Sequence, residues 1–88
     1  MSSNIDDLKK KIIYRSTYRG TKEMDTLLSS FTKKNINKLN NDELINLSNL
    51  LDIDDENLYR FNQGLNTTVI IEENKVSKLF KKFKYKKE

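Results

Sequence analysis

The sequence predicts an all-α fold: a small five-helix bundle forming a single domain over residues 1–88. Three observations support this. Apolar residues recur at i, i+3, i+4 and i+7, the stripe of an amphipathic helix, in several separate segments. Helix-start residues and two glycines, Gly20 and Gly64, punctuate those segments. The one stretch with β character, residues 67–71, has no second strand to pair with.

The first helix is expected over residues 4–18, opened by Ser3 with Asp6 and Asp7 and striped by Ile5, Leu8 and Ile12. Lys9, Lys10 and Lys11 make its solvated face. A second helix over residues 21–34 carries Met24, Leu27, Leu28 and Phe31 and stops near Asn35, which tolerates left-handed backbone. Residues 36–40 form a connector with Ile36 and Leu39 tucked beneath it. Asn40 and Glu43 then open a third helix with Leu44, Leu47 and Leu51 on one face, ending near Leu51.

Asp52, Asp54, Asp55 and Glu56 resemble a calcium loop only in composition, because the EF-hand spacing and its distal bidentate Glu are missing. Carboxylates favour a helix N-terminus, so this run is assigned to the start of a fourth helix over residues 55–62. That helix places Leu58, Tyr59 and Phe61 in the core and stops at Gly64. The fifth helix, capped by Asn66 or Thr67, is marked by Val76, Leu79, Phe80 and Phe83. Residues 84–88 are expected to be its basic, partly frayed end.

Composition narrows the function. With no Cys and no His, the chain has no thiol nucleophile, no imidazole base and none of the usual zinc ligands. At 88 residues a large enclosed active site is not expected, nor is a deep flavin pocket, and no dinucleotide-binding glycine fingerprint is present. The chain is therefore read as a non-enzyme with no catalytic residues, no metal and no stably bound cofactor. The absence of Ala and Pro beside abundant Lys, Asn, Ile and Leu is what an AT-rich genome produces, which discounts lysine richness as a signal. The formal charge of +4 is uneven: residues 1–74 are net −2, whereas residues 75–88 hold seven Lys against Glu88 and are net +6.

Charges of both signs surround a glycine at the corner between the first two helices, Tyr18-Arg19-Gly20-Thr21-Lys22-Glu23-Met24-Asp25. Gly20 can end the first helix in left-handed backbone, or it can let another backbone approach closely. Glu23 can reach back to the backbone as in a capping box, or it can face a partner.

Arg19-Gly20-Thr21-Lys22-Glu23 fits an R-G-x-x-E motif, extended by Met24, Asp25, Leu27, Leu28 and Phe31. Downstream, Leu50-Leu51, Asp54 and Leu58-Tyr59-x-Phe61 make a second block that Gly64 closes. These blocks resemble the FAD assembly factors of succinate dehydrogenase, the SdhE family. Phe61 stands where that family usually has Trp, and Tyr18 where a basic residue is common. The resemblance implies an assembly chaperone that binds the flavoprotein subunit of succinate dehydrogenase, or of a fumarate reductase, and promotes covalent attachment of FAD. FAD is then the cofactor of the client. Arg19, Gly20, Glu23 and Asp25 become partner-binding residues: Gly20 for close approach, Arg19 as a planar fork, Glu23 and Asp25 to complement basic client groups or to orient Arg19. A free monomer is expected, without nucleic acid and without membrane insertion. The start of the chain lacks a signal-peptide core and an Arg-rich transit pattern, so a bacterial cytoplasmic protein is expected in preference to one of the mitochondrial matrix. The competing reading is a small nucleic-acid-binding protein that uses its Lys-rich C-terminus.

Overall fold

The computed structural model describes residues 4–84, and the readings made for Ser3 and for residues 85–88 lie outside these. Helix α1 spans Asn4–Thr17 and helix α2 spans Lys22–Asn35. A single 3-10 turn, Ile36–Lys38, leads into α3, Asn41–Leu50, followed by α4, Asp55–Gln63, and α5, Lys75–Lys82. Five α-helices, with no strand among the described residues, match the predicted class. No helix among these residues is long and apolar enough to cross a membrane.

Local chemistry explains most of the boundaries. Thr21 caps α2 by accepting the Met24 N–H. Asn40 and Glu43 form the expected capping box at α3, each side chain accepting the other residue's backbone N–H at 2.8 and 2.9 Å. Gly64 closes α4 with left-handed backbone, φ 78°, and the N–H of Leu65 bonds back to the Arg60 carbonyl at 2.8 Å.

The start of α5 differs from the expectation. Its cap is Asn74, which exchanges hydrogen bonds with Ser77 in a second capping box, while Asn66 and Thr67 stay outside the helix. The buried amide of Asn57, on α4, holds residue 68 away from helical geometry: Asn57 Oδ1 accepts the Thr68 N–H at 2.8 Å.

All five helices and the 3-10 turn supply one core. Ile12, Leu28, Leu47, Leu58, Val76 and Phe80 are completely buried, and Ile36 and Leu39 fold in beneath the connector as expected. Phe31 meets Phe80 edge-on at 5.1 Å and Phe83 at 5.4 Å, fastening α5 to α2. Asn62, also buried, donates to the carbonyls of Phe80 and Phe83 at 2.9 and 2.8 Å and so satisfies the C-terminal end of α5. Ile5 and Tyr59 depart from their assigned roles: both are exposed rather than core residues.

Candidate functional site

The corner is built by two arginines one helical turn apart. Arg15, near the end of α1, donates to the carbonyl and hydroxyl oxygens of Ser48 and pairs with Asp52. Arg19, two residues past that end, reaches the turn between α3 and α4. Its Nε donates to Asp55 Oδ1 at 2.9 Å, Nη1 to the Leu51 carbonyl at 2.8 Å and Nη2 to the Ile53 carbonyl at 2.8 Å. With its side chain only 11% exposed, Arg19 is a clasp joining the α1–α2 corner to the start of α4. The fork expected to meet a client is engaged within the molecule, on partners that no local spacing signals.

Asp25 completes the corner by accepting the Arg19 backbone N–H. This is the reach-back that the spacing offered to Glu23. Thr21 is the cap, so Glu23 occupies the second helical position, exposed and without an ion pair among the described residues. Gly20 is exposed with φ 126°, outside the left-handed helical region and where side-chain-bearing residues are strained. A Cβ added there would meet Asp55 at 3.9 Å, an ordinary contact, so space does not require the glycine. Backbone conformation does.

The acidic run after α3 is divided among separate partners. Asp52 pairs with Arg15, Asp55 with Arg19, and Glu56 with Arg60 at 3.3 Å. Asp54 caps α4, and the side-chain amide and backbone N–H of Asn57 hold its carboxyl below the ordinary value. At α3 the Asn40 backbone N–H, with help from Lys75, lowers the Glu43 carboxyl likewise.

Between the starts of α2 and α4 lies an open cleft of about 420 Å³ lined by Thr21, Glu23, Met24, Asp55, Glu56 and Tyr59. Glu23, Asp55 and Tyr59, distant in sequence, thus share one surface beside Gly20. Tyr59 and Asp55 were missed as site residues. The second motif block contains Tyr59, but its stripe position read as core.

A sequence profile for the family described as flavinator of succinate dehydrogenase matches residues 10–86, spanning the corner, the cleft and α5. The chain belongs to this family. Among curated proteins, succinate dehydrogenase assembly factor 2, mitochondrial, of Dictyostelium discoideum is 39% identical over 59 residues, covering 67% of this chain and 42% of that protein. The protein of the same name from Candida glabrata is 32% identical over 83 residues, covering 93% of this chain and 54% of its own length. The chain thus spans about half the length of the curated relatives it matches. No solved structure matches it. Both relatives are mitochondrial proteins of eukaryotes, which overturns the expectation of a bacterial cytoplasmic protein. None of these matches supports the nucleic-acid reading.

Proposed function

We propose that the chain binds the flavoprotein subunit of succinate dehydrogenase and promotes covalent attachment of FAD to that subunit, using the surface from Gly20 across the cleft to Tyr59. The observation that carries this reading is the fixed, glycine-bearing corner in a chain that belongs to the flavinator family. The exposed Gly20 lets a client backbone approach without a side chain between, and Glu23 offers an exposed carboxylate with no ion pair among the described residues. Arg19 and Asp25 act behind this surface, holding the corner against α4.

The chain supplies no reacting group and no cofactor of its own. It acts by favouring a client conformation in which flavin and acceptor are aligned, an effect worth several kcal/mol and up to roughly 7 to 11 in the best intramolecular cases. The test is co-expression with the flavoprotein subunit, read by the fluorescence of covalently bound flavin in a denaturing gel. Gly20→Arg should leave the helical circular dichroism spectrum in place and abolish both client binding and flavinylation. A folded variant that still supports flavinylation would remove the corner from the interface.

A further inference from the structure

Residues 65–74 form the longest irregular segment among the described residues, and they hold apolar side chains in solvent. Ile70 is 98% exposed, Leu65 54% and Val69 41%. The display is anchored at both ends. Asn57 accepts the Thr68 N–H and donates to Thr68 Oγ1 at 3.0 Å, while Ile71 packs on the core. Val69 and Ile70 project between these two anchors, with the Val69 carbonyl accepting from Thr67 Oγ1 at 2.6 Å.

Directly after this prominence, α5 and the two residues beyond it carry five exposed lysines at 75, 78, 81, 82 and 84, with no acidic residue among positions 74–84. Glu72 and Glu73 are the only acids of residues 65–84, which leaves a net charge of +3. Lys75 pairs with Glu43, Lys81 lies over the Phe61 ring and Lys84 bonds the Asn62 carbonyl. Lys78 and Lys82 have no such partner among the described residues and border an open groove of about 360 Å³ with Leu79.

We propose that Val69, Ile70 and the α5 lysines act together as one face that docks on the surface of an anionic lipid bilayer, with the aliphatic pair entering the interface and the ammonium groups meeting lipid headgroups. An apolar insertion beside a basic patch is the two-signal combination that reversible membrane binding requires. The residue types favour a bilayer over the other anionic partners. Protein interfaces are depleted in Lys and built on aromatic and Arg anchors, and among the described residues 65–84 there is no Arg, Trp or Tyr. Single-stranded nucleic acid calls for exposed rings to stack bases, whereas among the described residues of this segment Phe80 is buried and Phe83, like Phe61 beneath Lys81, packs on the core. The apolar side of α5 is itself core, so the docking is peripheral.

The test is co-sedimentation of the full chain with vesicles of phosphatidylcholine and phosphatidylglycerol, against vesicles of phosphatidylcholine alone. The expected result is binding to the mixed vesicles only, weakened by salt. Ile70→Asp should reduce it at least about tenfold, and the pair Lys78→Glu and Lys82→Glu by a comparable factor, with unchanged circular dichroism. No binding by the unmodified chain, or equal binding by all variants, overturns the proposal. Tighter binding of the same lysines to DNA than to the mixed vesicles overturns it as well. So does loss of flavoprotein binding in Ile70→Asp, because the face would then belong to the client.

Discussion

The two glycines, both at positive φ, do different work. Gly64 closes α4 with the backbone groups of the helix itself: its N–H and that of Leu65 turn back onto the last carbonyls, at a φ of 78°. Gly20 lies three residues past the end of α1, at a φ of 126°, outside the left-handed helical region that Gly64 occupies. Its conformation is set from outside, by the Asp25 carboxylate on the backbone of Arg19 and by the Arg19 side chain on α4. A helix-ending glycine is a local device, whereas the corner glycine depends on tertiary contacts that hold it in place and leave its face open.

The largest effect that should break this contrast is at Arg19. Arg19→Ala strands Asp55 and two carbonyls in a half-buried setting and should lower stability by about 2 to 4 kcal/mol in urea unfolding. Arg19→Lys keeps the charge but cannot reproduce the three-way fork, so it should recover only part of that loss. The loss should appear as local opening of the corner and the start of α4 in hydrogen exchange, ahead of α5. If exchange rises uniformly instead, the corner is not a separately held unit.

Alanine at each glycine compares the two backbones directly. Gly20→Ala should cost about 2 kcal/mol, because φ 126° is close to glycine-only territory, and Gly64→Ala about 1 kcal/mol, because left-handed helical backbone is merely disfavoured. Thermal or urea midpoints check the order. The reverse order would mean that the corner relaxes freely when its glycine is replaced.

Acid should distinguish a helix start held by a carboxylate from one held by a hydroxyl. The Asp54 carboxyl is lowered in the folded chain, so its contribution is complete above the unfolded value and is lost as pH falls through the folded one, below about pH 4. Asp54→Ser, which retains a cap at α4 without the charge, should flatten the stability profile in that range, whereas the Thr21 cap at α2 carries no such dependence. The smallest expected effect on stability is at Glu23: Glu23→Gln should fall within about 0.5 kcal/mol of the parent while weakening client binding, measured by titration calorimetry.

Legibility varied with the range of the interaction. The α3 capping box, the Gly64 stop and the stripes of α2 and α5 each involve residues within one or two turns, and each was readable from spacing. The cap of α5 was misplaced because Asn66, Thr67 and Asn74 are all competent caps, and the choice among them is made by Asn57 on another helix. Tyr59 read as core because a two-turn helix has too few positions for periodicity to orient each of them; in the bundle it borders the cleft. At the corner, four residues were recognised as a group, yet their division of labour was not visible. Gly20 and Glu23 face outward, while Arg19 and Asp25 hold the corner from within.

By itself the sequence determined the helical class, the order of the helices, the caps that open α3 and α4, the Gly64 stop, the uneven charge and the motif blocks of the family, because these depend on local periodicity, on backbone propensity and on composition. The tertiary structure decided which carboxylate receives Arg19, 36 positions away, and which side of α4 faces solvent. It also decided that an aliphatic pair stands out in solvent, and that the lysines of α5 are exposed while its apolar side joins the core. Those outcomes follow from how the helices pack around one core, and a spacing rule confined to a turn or two carries no information about partners that only packing brings together.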